Sequence, residues 1–467
     1  MTFDPRFAPP ASLLLSEVLA ATGGELLGGV GGPFTVCTDS RAAGPGTLFV
    51  ALQGEVHDAH AFVGAALAAG SAALVSTVDP AWTPTAPLIR VPDTLVALGQ
   101  VGQAALLRQG PSVAAITGSV GKTSTRAMLS AILRQVVPTL STDGNFNNRV
   151  GLPLTLLQLR PEHRAVVLEL GMSEPGEIRA LAAICRPRVR VITRIAPVHL
   201  EFFDGVEGIA DAKGELFEDA RPGDVLVFPA DEPTSARFPR PPGAVLVPVG
   251  ADPDSTAPVR PLEVESLGLL GTRALIQVHG ERFEVQVPIP GRHQLQNALA
   301  AAAAAWALGA RAPAIQAGLL AVDVPGRRMK VAERNGVLVV DDAYNASPAS
   351  VAAVLETVAR IPRQGRRVAA LGDMLELGPT APGLHADVGR AAAALGLDLL
   401  VGAGPLMEYA VRAASQAGMH AVSVPDSEAA GAFLAGFLEP GDLLLLKGSR
   451  GTKMEAALDL AFPGEGN

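Results

Sequence analysis

The stretch Ser112 to Thr125, SVAAITGSVGKTST, constrains this chain more than any other. Val113 to Ile116 is a short apolar run of the kind that forms a buried strand, and helical spacing resumes from Met128 to Val136 beyond a glycine-containing turn. A strand, a tight glycine turn and a helix in that order make a phosphate cradle. Gly118 and Gly121 let backbone N–H groups approach phosphate oxygens, and the new helix turns the positive end of its dipole toward them. Lys122 adds a cation and Thr123 can offer a hydroxyl to Mg2+. Only Ser119 and Val120 separate the glycines, so the loop is shorter than the common G-x-x-x-x-G-K-[ST] form. A chance glycine turn would not be expected to place strand, glycines, Lys-Thr and helix in the required order.

A loop of this kind needs a parallel sheet behind it, and 467 residues suffice for about three domains of ordinary size. The hydrophobic fraction of 48% comes largely from alanine. The longest such run, Ala298 to Ala310, falls short of a membrane span and reads as a core helix. The first residues, MTFDPRFAPP, lack a secretory pattern, and two cysteines, Cys37 and Cys185, make no disulfide framework, so a cytoplasmic protein is expected. A net charge of −9 without a basic block argues against nucleic acid or an anionic membrane as partner. Of the 37 basic residues only five are lysines, Lys122, Lys213, Lys330, Lys447 and Lys453, so each of them invites a question.

Along the chain, helix-like and strand-like pieces alternate up to about residue 108, around TDSRAAGPGTLFVALQGEVHDAHAF. Asp39, Ser40 and Arg41 follow a strand-like run from Phe34 to Thr38, where polar residues suit a phosphorylated ligand as well as an ordinary solvated loop. His57 and His60 flank Asp58 without further metal-ligand spacing. From about 109 to 312 comes a nucleotide domain. Its GNFNN turn holds Asn145, Asn147 and Asn148, and the strand Ala165 to Leu170 carries Glu169, a carboxylate placed to hold Mg2+ or to pair with an arginine. Another strand, Val189 to Ile195, leads to His199 and Lys213. Residues 224 to 289 read as strand-rich without chemistry of their own, and Asn297 stands near the start of the alanine helix. From 313 onward the runs at Val337, Val368, Leu399 and Leu443 predict a doubly wound parallel sheet. Its polar motifs, DDAYNASP, LGDMLELG and KGSRGTKME, follow strand ends, where such sheets bind ligands.

Taken together, TGSVGKTS, GNFNN, ELGM, HLEFF with AKGEL, GRHQLQNALAA, DDAYNASP, LGDMLELG and KGSRGTKME resemble the Mur ligase family, in the same order and over nearly the whole chain. The DSR…GTLFVAL segment is similar to that family's uridine-nucleotide-binding domain, and DDAYNASP with GNFNN resembles its dipeptide-adding branch. Two departures are Ser347, where the family usually has Asn, and Ala59 in Asp58-Ala59-His60, where it usually has Gly. The resemblance implies an α/β protein of three domains. They are a small UDP-sugar-binding domain (1–108), a central ATP-binding ligase domain with a β-rich extension (109–312) and a Rossmann-like domain for the incoming dipeptide and part of ATP (313–467).

It also implies an ATP- and Mg2+-dependent ligation, in peptidoglycan precursor synthesis, of D-alanyl-D-alanine to UDP-N-acetylmuramoyl-tripeptide through an acyl phosphate. The residues carried over as catalytic are Lys122, Glu169, His199 and Lys213. ATP contacts would come from Gly118, Ser119, Val120, Gly121, Lys122, Thr123, Ser124, Asn297, Arg327, Asp342 and Asn345. The UDP substrate would meet Asp39, Ser40, Arg41, Asn145 and Asn148, and the dipeptide or intermediate would meet Lys447, Ser449 and Arg450. Metal would be held by Thr123, Glu169, His199 and a carbamylated Lys213, since an ammonium with a pKa of about 10.4 is no ligand for Mg2+. A monomer with no membrane-embedded part is expected. A sibling ligase adding a single amino acid and a phosphate-loop switch ATPase are the competing readings. The switch would need no acceptor.

Overall fold

The structure, a computed structural model, describes residues 12–464 apart from 55, 83, 199 and 363. By contacts the chain divides into two compact units that do not follow chain order. One comprises residues up to Ala115 with Val137–Val189, and the other Ile116–Val136 with all residues from Arg190 on.

The first unit contains a five-stranded sheet in the order Glu25–Gly28, Leu88–Arg90, Ala72–Val75, Thr47–Val50, Thr35–Cys37. The first strand runs antiparallel to its neighbour and the others are parallel. Leu48, Val50, Leu74 and Ile89 fill its core together with Leu98 and Val101 of the helix Thr94–Gln109. That helix starts where Asp93 accepts hydrogen bonds from the Leu95 and Val96 amides, and ends at Gly110 in the left-handed conformation. It also packs against the helices Gly151–Leu156 and Glu177–Cys185. A parallel pair, Thr139–Ser141 with Ala165–Glu169, completes the unit's sheet structure.

In the second unit the strands Val225–Pro229, Val245–Val249 and Val259–Ser266 pair in parallel, and Thr272–Val278 and Glu281–Val287 extend them as an antiparallel meander. This is the strand-rich stretch expected from the sequence. Alternate residues of Thr272–Val278 are buried, the mark of a strand with one covered face. The alanine-rich segment is the helix Arg292–Ala307, whose run Ala298–Ala305 is entirely buried. Methyl side chains let it lie close against the helix Lys122–Arg134.

The rest of this unit is a six-stranded sheet in the order Lys330–Arg334, Val337–Asp341, Leu443–Lys447, Arg367–Gly372, Leu399–Ala403, His420–Val424. All neighbours are parallel except the first pair. The four inner strands coincide with the apolar runs read from the sequence. Both outer strands lack a continuous apolar run, because an edge strand with a solvated face needs none.

Candidate active site

The phosphate loop joins the buried strand Ser112–Thr117 to the helix Lys122–Arg134. Gly118 has φ 146°, and a Cβ there would lie 1.9 Å from Thr193 Oγ1. Gly121 has φ 90°, and its Cβ would lie 2.3 Å from Asn297 Oδ1. Both backbone conformations disfavour a side chain, and a Cβ at Gly121 would also displace the Asn297 amide. Thr193 Oγ1 reaches the carbonyls of Val120 at 2.6 Å and Thr117 at 3.2 Å. The amides of Ser119 and Val120 donate to the Arg194 carbonyl at 2.8 and 3.4 Å, and Ser119 Oγ donates to the Ala196 carbonyl at 3.0 Å. The strand expected over Val189 to Ile195 accordingly ends at Ile192, and Thr193–Ala196 becomes a strap that pins the loop. With two loop amides turned to that strap, the anion-facing donors are the amides of the helix's first turn. Lys122 Nζ folds back onto the carbonyls of Gly118 at 2.6 Å and Ser119 at 3.3 Å.

The strap is itself held by a buried carboxylate. Glu232 accepts the Ile195 amide at 3.1 Å through one oxygen and the Thr234 hydroxyl at 3.0 Å through the other, with Arg194 Nε 3.9 Å away. Glu232→Ala leaves the Ile195 amide buried without its acceptor, so a loss of about 1–3 kcal/mol in stability is expected. A rise in KM for ATP should accompany it as the loop loosens. Urea titration and ATP kinetics would check this, and an unchanged KM for ATP would disconnect the strap from the loop.

Lys213 lies inside the helix Gly205–Glu218 and is 1% exposed. Burial, and secondarily the positive charge of Lys122, hold its amine well below the ordinary lysine range. Arg190 steadies the end of this helix, donating to the Leu216 carbonyl at 2.7 Å and pairing with Asp219. His199 lies outside the described residues. In the other unit, Glu169 is buried at the end of its strand, and Asn147 Nδ2 donates to its carboxylate at 3.0 Å. Asn147 is thus a residue whose task the sequence reading left unassigned. The side chain of Asn148 caps the helix Gly151–Leu156 by accepting the amides of Val150 and Gly151, and the Asn145 carbonyl accepts the Asn147 amide.

Asp39 caps the short helix Ser40–Ala42 and grips the exposed Arg41 guanidinium, whose hydrogen bonds hold the carboxyl down to about 2. His60 is a structural histidine. Its Nε2 accepts the Ser76 amide at 3.0 Å, which leaves the proton on Nδ1 for Asp58, 2.6 Å away. Among the described residues no three His, Cys, Asp or Glu side chains cluster as a metal site.

At the carboxyl edge of the six-stranded sheet, Arg327 pairs with Asp341 at 2.8 Å, and Asp342 accepts the Met329 amide at 3.1 Å. Burial raises the Asp341 carboxyl above its ordinary value. Lys447, 3% exposed, donates to Asp342 Oδ2 at 2.6 Å and to the Asn345 carbonyl at 2.8 Å. Asn345 Oδ1 accepts the next amide, that of Ala346, at 2.9 Å. Ser449 Oγ accepts the Leu375 amide at 3.0 Å, and Arg450 pairs with Glu455 at 3.0 Å. Ser347 caps the helix Pro348–Ala359 by accepting the Ser350 amide, a task open to Ser and Asn alike.

His293, at the start of the alanine helix, is pushed down to about 4, chiefly by burial, with Lys447 lowering it further and Asp342 opposing. A lowered histidine is neutral in the folded protein and protonated in the unfolded chain between pH 6.5 and about 4, so stability falls as pH drops through that window. His293→Gln should flatten this part of a stability profile measured from pH 7 to pH 4.5. An unchanged slope would assign the acid sensitivity elsewhere.

Known proteins resemble this chain in sequence and in fold. A family model described as the Mur ligase middle domain matches residues 116–305, and one described as the Mur ligase, glutamate ligase domain matches residues 327–450. The UDP-N-acetylmuramoyl-tripeptide--D-alanyl-D-alanine ligase of Escherichia coli K12 is 39% identical over 415 residues, covering 88% of this chain and 89% of its own. The Bacillus subtilis 168 ligase of the same name is 34% identical, over 90% of this chain and 91% of its own. Among solved structures, MurF from Acinetobacter baumannii superposes with a TM-score of 0.90 at 33% identity, over 97% of this chain and all of that one. MurF ligase from Thermotoga maritima in complex with ADP gives 0.80 at 27% identity, over 92% and 97%. By sequence and by fold, the chain belongs to the Mur ligase family.

Proposed function

We propose that the chain is an ATP-dependent ligase that joins D-alanyl-D-alanine to UDP-N-acetylmuramoyl-tripeptide in peptidoglycan precursor synthesis. The observation that carries this reading is that likeness to ligases of that printed activity runs over about nine-tenths of the chain, phosphate loop included. Three functional domains divide the work: 1–108 for the UDP-sugar, 109–312 for ATP and 313–467 for the dipeptide and part of ATP.

A carboxylate is a poor acyl donor. One oxygen of the tripeptide's terminal carboxylate therefore attacks the γ-phosphorus, an O–P bond forms, and the bond to the bridging oxygen breaks as ADP leaves with the electron pair. The dipeptide amine then attacks the carbonyl carbon of the acyl phosphate. Phosphate departs from the tetrahedral intermediate, and the amine's extra proton passes to solvent or a base. The protein's contribution is positioning and charge stabilisation. Lys122, Thr123 and Ser124 at the start of the helix face the phosphates, Gly118, Ser119, Val120 and Gly121 shape the loop around them, and Asn297, Arg327, Asp342 and Asn345 complete the nucleotide's surroundings. Asp39, Ser40, Arg41, Asn145 and Asn148 serve the UDP substrate, and Ser449 and Arg450 serve the dipeptide end, beside a Lys447 whose charge is held by Asp342.

By the family resemblance the residues that would hold Mg2+ are Thr123, Glu169, His199 and Lys213, and the ion would neutralise charge on the phosphoryl group. Burial lowers the Lys213 amine well below the ordinary lysine range, which favours the neutral form that adds to CO2 to give an anionic carbamate. Among the described residues no helix is long and apolar enough to cross a membrane. A nucleotide-linked substrate and ATP place the reaction in the cytoplasm.

The test is phosphate release from Mg-ATP with UDP-N-acetylmuramoyl-tripeptide, with and without D-alanyl-D-alanine, following the sugar product by mass. Release that requires the dipeptide, with a product heavier by one dipeptide unit, is expected. Equal hydrolysis without it would point to a switch ATPase, and addition of a single amino acid to a shorter precursor would point to a sibling ligase.

A further inference from the structure

We infer that Arg328 and Tyr344, together with Arg450, form the subsite for the carboxylate of the incoming dipeptide, an inference that rests on the ligase reading above. Tyr344 follows the strand Val337–Asp341, and Arg450 follows Leu443–Lys447, its parallel neighbour. Both stand beyond carboxyl ends, the edge where open α/β sheets take their ligands. The Arg328 guanidinium carbon lies 3.6 Å from the centre of the Tyr344 ring, and that of Arg450 lies 6.0 Å from the same ring. The Tyr344 amide donates to the Arg327 carbonyl at 3.1 Å, which ties the loop bearing Arg328 to the loop bearing the ring.

The nearby cations are already committed to carboxylates. Lys447 is held by Asp342 at 2.6 Å, Arg327 by Asp341 at 2.8 Å and Lys330 by Asp323 at 2.5 Å. Arg328 differs: its polar contact is the neutral Pro325 carbonyl at 3.1 Å, and among the described residues no carboxylate neutralises it. A guanidinium seated over a ring at this distance can keep N–H groups free for a two-pronged bond to a carboxylate, and the ring holds it in place. Arg450 shares its charge with Glu455, but its side chain remains 67% exposed and can supply a second, weaker contact.

The dipeptide needs such a clamp. Its amine must stay free to attack, and two methyl groups offer little apolar surface, so the anchoring has to come from the far carboxylate. An extended dipeptide spans about 7 Å, which separates the anchored end from the reacting one.

The experiment compares D-alanyl-D-alanine with D-alanyl-D-alaninamide, which lacks the carboxylate charge, in the wild-type protein and in Arg328→Ala and Tyr344→Leu. Wild type should prefer the acid by about tenfold to a hundredfold in kcat/KM. Arg328→Ala should raise KM for the acid by a similar factor, leave KM for the amide nearly unchanged, and so erase the preference. KM for ATP and for the UDP substrate should move less than about threefold. Tyr344→Leu, which removes only the platform, should lose part of the preference and keeps the test alive if Arg328→Ala fails to fold. A wild type indifferent to the carboxylate, variants that discriminate as wild type does, or a shift in KM for the UDP substrate instead would each overturn the assignment. No ligation of either dipeptide by wild type would overturn the ligase reading itself.

Discussion

Replacing Lys213 by methionine is expected to lower ligation by about a hundredfold to a thousandfold, the usual effect of losing one group that stabilises transition-state charge. The same change should make the protein more stable. Burial and the neighbouring charge of Lys122 keep the folded Lys213 amine well below its ordinary pKa, so folding disfavours a proton that the unfolded chain holds. The resulting penalty is fully present below the folded pKa and fades as pH rises toward the unfolded value of about 10.4. Lys213→Met removes it. In CO2-free buffer the variant should therefore unfold at higher urea than wild type at pH 7, with the gain shrinking toward pH 10. Opposite signs for activity and stability separate a functional burial from a packing defect. Wild-type activity should also fall in CO2-free buffer and recover on adding bicarbonate. Full activity without CO2 would rule out the carbamate and leave Lys213 an unmodified amine beside the phosphates.

Gly118→Ala should be strongly damaging, and damaging at the nucleotide site itself. The new Cβ combines a left-handed backbone with a 1.9 Å approach to Thr193 Oγ1, the hydroxyl that fastens the loop to its strap. Backbone strain and overpacking together should cost about 3 kcal/mol or more, and nucleotide binding should be lost because the cradle cannot keep its shape. Gly223→Ala supplies the control. Its φ of 88° is equally left-handed, but nothing lies within 4 Å of the added carbon, so only the conformational term, about 1–2 kcal/mol, should appear. Urea midpoints for the two variants check the difference. Equal midpoints would show that the contact with Thr193 carries no weight.

The strand, loop and helix from Ser112 to Arg134 were legible in the sequence because every signal there is local: an apolar run, two glycines and a helical apolar repeat within some twenty residues. The four inner strands of the six-stranded sheet were legible for the same reason. What local pattern could not reveal is pairing across distance. Asn147 donates to a carboxylate 22 positions away, and Lys447 to one 105 positions away. Scarcity marked Lys447 as notable, but not that its charge is spent inside the protein on Asp342. Arg328 stands next to Arg327, which alone was carried over from the resemblance, because packing on a ring leaves no trace in spacing. Glu232 was passed over in a stretch read as carrying no chemistry, although it anchors the strap behind the phosphate loop.

The placement of the lysines also decides how this protein meets reagents. Lys213 and Lys447 are sealed in, and Lys122 is folded against its own loop. Only Lys330 and Lys453 present exposed side-chain amines. Apart from the chain's α-amine, an amine-directed dye or surface coupling should therefore settle on these two positions, both in the C-terminal third of the chain. Immobilisation through amines would use only a few attachment points, a convenience that a surface rich in arginine and poor in lysine confers without engineering.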